Sequence, residues 1–245
     1  LAYNLKAKIK VIARKKHPFF DTIICDLEKD KIPQNALMEI DTVFHLAGVA
    51  HDFRDANKIS SKYRAINVDA SLALAKIAAE NGVKNFVFLS SVKAGGSVNS
   101  KECLSENNQY EPKDIYGKSK REAEILLLEI SQKSKMNVKI IRSSLVYGPR
   151  VKGNLRRMYN GIQHGWFPPL PETGNIRSMI HVDDLVRAIL FVVEDNRANG
   201  EVYIATDGMR YSSCQIYEIL SFLLNKNLPR WRVPKIIFNF AALLN

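Results

Sequence analysis

Tyr116-Gly117-Lys118-Ser119-Lys120 places a phenol and an ammonium four residues apart at the start of a strongly helical run. On a helix that spacing puts both side chains on one face. A free phenol ionises near pH ~10 and is a poor acid or base at neutrality, but a fixed positive charge beside it favours the phenolate. Tyr116 is therefore expected to move protons near neutral pH. Twenty-five residues upstream, the apolar run Asn85-Phe86-Val87-Phe88-Leu89-Ser90-Ser91 has strand length and ends in two hydroxyls. Ligands of a parallel sheet sit at the carboxyl ends of its strands, so Ser91 is placed to hydrogen-bond a substrate oxygen. A hydroxyl donor, a tunable phenol and a lysine together suit redox chemistry between a carbonyl and an alcohol.

These residues need a scaffold, and the pattern around them supplies one. Short apolar runs predict strands over residues 8–13, 22–25, 41–47, 85–90 and 138–142. Alanine-rich helical spacing predicts a helix over 68–81 closed by Gly82, and a second helix runs from Tyr116 through Ser131. Strands alternating with helices imply parallel βαβ units with right-handed crossovers, hence an α/β doubly wound sheet. From about Val151 the rhythm breaks into Trp166-Phe167-Pro168-Pro169-Leu170-Pro171, which cannot sit in regular central structure. The expected organisation is a main domain over residues 1–150 and a smaller lobe over 151–245.

With 245 residues and 46% hydrophobic content the chain can bury a sizeable core. Cys25, Cys103 and Cys214 are odd in number and widely spaced, which suits a reducing compartment rather than a disulfide framework. No apolar run approaches the ~20 residues that span a bilayer and no signal peptide opens the chain, so a cytoplasmic protein without a membrane span is expected. The net charge of +11 is scattered and accompanies no nucleic-acid-binding module. It would attract an anionic cofactor or substrate, and solubility explains it equally well.

Six segments stand in a fixed order: Val43-Phe44-His45-Leu46-Ala47-Gly48, Asn67-Val68-Asp69-Ala70-Ser71, Phe88-Leu89-Ser90-Ser91, Tyr116-Gly117-Lys118-Ser119-Lys120, Arg142-Ser143-Ser144-Leu145-Val146-Tyr147-Gly148-Pro149, and Arg177-Ser178-Met179-Ile180-His181-Val182-Asp183-Asp184-Leu185. In this order they make the chain, over nearly all its length, resemble the extended short-chain dehydrogenase/reductases. That group comprises NAD-dependent nucleotide-sugar epimerases, dehydratases and reductases. The resemblance implies a Rossmann-like dinucleotide-binding domain, with part of the sequence after Arg177 returning to it.

The resemblance also assigns roles. Tyr116 would be the general acid/base at the substrate hydroxyl. Lys120 would bind the nicotinamide ribose and lower the tyrosine pKa, and Ser91 would hydrogen-bond the reacting oxygen. Asp26, with Leu27 beside it, would meet the adenine, although an aspartate after a strand also forms turns. Ala47 and Gly48 would let the cofactor approach the backbone, whereas His45 reads as a packed core histidine. Asn67 matches an asparagine that orders the active-site backbone, or is an ordinary helix cap. Arg14 either holds the phosphate of NADP or is solvated surface charge, which leaves NAD and NADP both open. Ser144, at the mouth of the site, and Asn154 and Arg177, matching diphosphate contacts, would bind substrate. His181, Asp183 and Asp184 read as structural, the acids lying near a helix start, and no metal is expected.

A dinucleotide fold of this type should open on a strand and a Gly-rich turn. Leu1 to Lys6 read instead as the end of the helix that follows such a turn, and the chain stops within the apolar run 236–244. Both ends look cut, and weakened cofactor binding is expected of such a fragment. Dehydratases of the family carry an acidic pair after the active-site hydroxyl, where this chain has Val92-Lys93-Ala94-Gly95-Gly96. Dehydration is thereby disfavoured. The expected activity is epimerisation, or reduction of a 4-keto sugar, at C4 of a UDP-hexose for bacterial polysaccharide biosynthesis. A nucleotide-binding member without turnover, or an inactive fragment, is the alternative. A nucleotide sugar is the expected partner, a homodimer is compatible, and nucleic acid is not expected.

Overall fold

Apolar runs buried on both faces form the centre of the molecule. A computed structural model describes residues 7–50, 56–96, 103–229 and 231–234. In chain order the strands are β1 (Lys10–Ala13), β2 (Asp21–Ile24), β3 (Thr42–His45), β4 (Asn85–Ser91), β5 (Asn137–Ser143), β6 (Leu145–Tyr147), β7 (Met179–His181) and β8 (Val202–Ala205). The helices are α1 (Ala56–Tyr63), α2 (Ala70–Glu80), α3 (Ile115–Lys133), α4 (Gly153–Gln163), α5 (Val182–Glu194) and α6 (Ser213–Leu223). Among the described residues the named strands pair in parallel: β1 with β2, β3-β4-β5-β8 in that order, and β6 with β7.

The chain divides into two compact units, one of Leu1–Ser143 and Val186–Ala205, the other of Ser144–Leu185 and Thr206–Asn245. In the first unit, β4 and β5 are buried along most of their length, as strands covered on both faces should be. One face packs Phe86, Phe88, Val138 and Ile140 against α2 and α3 through Leu74, Ala78, Ala123 and Leu127. On the other face the fully buried Lys139 donates from Nζ to the Val193 carbonyl of α5 at 2.5 Å and to Asn85 Oδ1 at 3.2 Å. Helices therefore cover both faces of a parallel sheet, the doubly wound Rossmann-like architecture the sequence predicts.

Two elements differ from the sequence expectation. The helix predicted to begin at residue 68 is the end of a longer helical run: α1 passes into a π turn, Arg64–Asp69, and then into α2. The polar stretch Ser-Ser-Lys-Tyr-Arg lacks the apolar period that would reveal it, and buried Asn67 and Val68 stabilise it through tertiary packing. The second difference is at α3, which begins at Ile115 and is capped by Asp114, whose Oδ1 accepts from Gly117 N at 2.7 Å. Gly117 permits this start to lie against the turn after β4, because a Cβ there would fall 2.7 Å from the Lys93 carbonyl.

In the second unit β6 and β7 pair, and α4 and α6 pack through Leu155, Met179 and Ile216 and through Ile162, Leu170 and Tyr217. Residues 166–171 form no helix or strand, as their prolines require. A capping box of Ser212 and Gln215 starts α6. Asp183 and Asp184 occupy the first turn of α5, where carboxylates complement the helix dipole.

Candidate active site

Ser91, Tyr116 and Lys120 come together in the first unit where the carboxyl end of β4 faces the start of α3. Ser91 is nearly buried and caps a short 3₁₀ turn, Val92–Gly95, accepting from Lys93 N at 3.3 Å. Its side chain lies close enough to that of Tyr116 to act on the phenol. The Tyr116 ring lies 6.1 Å from the Tyr63 ring, and Lys93 Nζ sits 5.9 Å from its centroid. Beyond it Lys93 Nζ meets Asp114 Oδ2 at 2.5 Å.

The electrostatics correct one expectation. Burial pushes the Tyr116 phenol above its ordinary value; the Ser91 side chain pulls against this, and Tyr63 and Asp114 add to the rise. Lys120 is not among the groups that set this shift. The same burial brings Lys120 itself down to about 7, with Glu124 opposing the fall, so the ammonium is no longer a fixed charge at neutrality. Lys120 is 3% exposed, its Nζ lies 4.0 Å from the Phe88 ring centroid, and it makes no hydrogen bond to a described residue. Spacing on a helix predicts proximity but not desolvation, and desolvation dominates here.

Asn67 does not cap a helix. It is fully buried within the π turn, where its Oδ1 accepts from Val49 N at 2.8 Å and its Nδ2 donates to Val49 O at 3.1 Å and Ser119 Oγ at 3.0 Å. Ser119 Oγ in turn donates to the Tyr116 carbonyl at 2.8 Å. The loop after β3 is thus tied through Asn67 to the helix bearing Tyr116. Ser71 Oγ donates to the Asn67 carbonyl at 2.8 Å and lies 2.7 Å from His45 Nε2. Because the Ser71 proton is committed, Nε2 is assigned as the donor to it. His45 is packed and neutral: it stacks on Phe88 at 5.6 Å, and burial, with Lys120 second, holds its pKa down to about 3.

Ala47 and Gly48 are exposed at the end of β3, and a Cβ on Gly48 would lie 3.2 Å from Asn67 Oδ1 and 3.7 Å from Lys120 Nζ. Asp26 follows β2 in a turn, its Oδ1 accepting from Glu28 N at 3.1 Å, and Leu27 packs partly into the core. Arg14 is exposed after β1. In the second unit Ser144 is buried with no hydrogen-bond partner for its Oγ among the described residues. Asn154 is exposed in the first turn of α4, and Arg177 is exposed with its backbone bridged to Tyr211 at 2.9 Å in both directions. Sequence reasoning missed Asp114, Glu124 and Ser119. The acid before Tyr116 could have been found as a helix cap, whereas Glu124 carries no local signal.

The sequence matches the NAD dependent epimerase/dehydratase family over residues 2–205. It is 35% identical over 198 residues to the UDP-glucose 4-epimerase of Vibrio cholerae, covering 78% of this chain and 59% of that protein. It is 30% identical over 230 residues to the N-acetyl-alpha-D-glucosaminyl-diphospho-ditrans,octacis-undecaprenol 4-epimerase of Escherichia coli O157:H7, covering 92% and 68%. The chain thus spans about three fifths to two thirds of the length of these relatives. Two solved structures share the fold. The UDP-glucose 4-epimerase of Thermotoga maritima with UDP-glucose has a TM-score of 0.80 at 20% identity, covering 95% of this chain and 79% of that one. The UDP-glucuronic acid 4-epimerase of Bacillus cereus in complex with NAD has a TM-score of 0.77 at 21% identity, covering 89% and 70%. By its sequence match over residues 2–205, this chain belongs to the NAD dependent epimerase/dehydratase family.

Proposed function

We propose that the full-length protein is an NAD-dependent nucleotide-sugar epimerase acting at C4 of a UDP-hexose, in the assembly of a bacterial polysaccharide. The observation that carries this reading is the placement of Ser91, at the end of β4, beside Tyr116 and Lys120 on the first turns of α3, with Val92-Lys93 following where a dehydratase would need acids. The names of the Vibrio cholerae and Escherichia coli relatives support it, the second through its lipid-linked sugar.

The described residues fit the sugar-facing end of a dinucleotide. Lys120 has donors to spare for ribose hydroxyls, and Gly48 leaves open the space beside it that a Cβ would fill. Ala47, Gly48, Tyr116 and Lys120 would hold that end, the backbone ordered by Asn67, with Asp26 and Leu27 at the adenine. NAD, the cofactor in the family's name, is preferred to NADP, so Arg14 is surface charge in this reading. When bound, NAD supplies an acceptor and donor of hydride. Tyr116 takes the proton from the sugar hydroxyl during oxidation and returns it during reduction, while Ser91 holds the same oxygen. Lys120, when protonated, stabilises the phenolate form in which Tyr116 takes that proton. Ser144, Asn154 and Arg177 bind the nucleotide sugar, Arg177 at the diphosphate, where a planar guanidinium can pair two oxygens.

The test is to incubate the full-length protein with NAD and UDP-glucose or UDP-N-acetylglucosamine and follow C4 inversion by NMR. Conversion to the C4 epimer is the expected result. Reduction of a 4-keto sugar without inversion of the parent sugar would favour the reductase reading, which uses the same residues. Nucleotide binding without either reaction would overturn both.

A further inference from the structure

Glu124 is 2% exposed on the buried face of α3, one turn beyond Lys120 and two beyond Tyr116. Its carboxylate accepts from Ser90 Oγ at 2.5 Å, from Arg142 Nε at 3.1 and 3.2 Å, and from Arg142 Nη2 at 2.7 Å. Ser90 and Arg142 are register partners on β4 and β5, so one carboxylate fastens α3 to both strand ends, immediately beside Ser91. Stability alone does not account for this arrangement, because a well-packed apolar pair of similar volume commonly replaces a buried ion pair without loss. The adjacent turn supplies another reason. The Lys120 ammonium is buried against a ring, with no hydrogen-bond acceptor among the described residues.

We propose that Glu124 is a positioning residue: locked by Ser90 and Arg142, it sets α3 so that Tyr116 reaches Ser91, and it provides the counter-charge that keeps Lys120 protonated. This rests on the reading of Lys120 as the partner of Tyr116. Among the described residues, the groups around Lys120 leave no other source of negative charge. Tyr116 on its own helix is a neutral phenol, His45 from β3 is neutral, Phe88 from β4 and Asn67 from the π turn carry no charge, and Arg142 from β5 is positive. Burial drives Lys120 toward the neutral amine, and Glu124 opposes it.

The direct test follows the Lys120 side chain by NMR with ¹³Cε-labelled lysine in the 245-residue chain, as a pH titration of the wild type and Glu124→Gln. The midpoint should fall by about one unit or more in the variant, since it loses the charge that opposes the effect of burial. An unchanged midpoint in folded Glu124→Gln overturns the proposal. Should that variant fail to fold, the apolar double variant Glu124→Leu/Arg142→Met removes both partners of the buried ion pair, so Arg142 is not left unpaired. Its Lys120 midpoint should also fall, and a wild-type midpoint there overturns the proposal equally. In the full-length protein the high-pH limb of kcat should move to lower pH by the same amount, with KM for the sugar nucleotide little changed. If the wild type turns over no nucleotide sugar, the functional reading fails while the titration still decides the role of Glu124.

Discussion

Lys93 and Asp114 join the hydroxyl-bearing turn after β4 to the helix that bears Tyr116. Lys93 Nζ bonds Asp114 Oδ2 at 2.5 Å, and Asp114 Oδ1 caps α3 at Gly117 N. Burial pushes the Asp114 carboxyl up, but the bonds from Lys93 and Gly117 outweigh it and hold the group below its usual value. Asp114→Ala should therefore cost about 0.5–2 kcal/mol of stability, the range for a lost N-cap, measured by urea unfolding at pH 7. It should lower kcat as well, through displacement of Tyr116 from Ser91. Loss of stability with unchanged kcat would separate the cap from the site.

Tyr116→Phe removes the proton-transfer group but keeps the ring packed against Tyr63. Turnover should fall by roughly 10²–10⁴-fold or more, while the thermal unfolding temperature stays close to that of the wild type. A phenylalanine variant with near-normal turnover would remove Tyr116 from the mechanism.

Lys120 gives a stability effect with a defined sign. Its folded pKa of about 7 lies below the unfolded 10.5, so between these values the unfolded chain binds the proton and the folded one does not. The cost of burying the lysine is complete below pH 7 and is relieved as pH rises toward 10.5. Lys120→Met should therefore stabilise the protein at neutral pH, by ~1–5 kcal/mol at ~1.4 kcal/mol per unit of pKa difference, with the gain fading above pH ~10. The same variant should lose turnover. Unfolding curves at pH 7 and pH 10 measure the difference; a destabilised variant at pH 7 would show that packing of the lysine stem outweighs its charge.

Arg177→Ala should weaken binding of UDP and UDP-sugars by ~1.5–3 kcal/mol, the range for a hydrogen bond to a charged group, and leave NAD binding nearly unchanged. Separate titrations of the full-length protein with UDP and with NAD distinguish the two. Loss of NAD affinity with retained UDP affinity would reverse the assignment of the second unit.

Much of the fold was legible because its strands are short, apolar and separated by helices, and the order of β3, α2, β4, α3 and β5 follows from local pattern. The proximity of Ser91, Tyr116 and Lys120 was legible for a similar reason: a strand end and a helix start are local features. The effect of Lys120 on Tyr116 was not, because the winning influence is desolvation, which depends on residues far away in sequence. Glu124 was invisible because its partners Ser90 and Arg142 lie 34 and 18 residues away on different strands. Asn67 was singled out by resemblance; its alternative reading as a helix cap came from propensity and does not hold, since a buried asparagine inside a helix is held by its tertiary partners, Val49 and Ser119.

The π turn at Arg64–Asp69 joins α1 and α2 with one residue more than an ordinary helical turn holds. The extra residue is taken up within that turn, so α1 and α2 keep the angular phase of a continuous α-helix despite it. Deleting one residue from 64–66 would let the turn re-form as α with the flanking faces still aligned, and Tyr63 would continue to face Tyr116. A further insertion has no such slack and would swing one flank against the other by about 100°. Length changes in this segment are therefore asymmetric in effect: a loss is absorbed where a gain acts as a rotation.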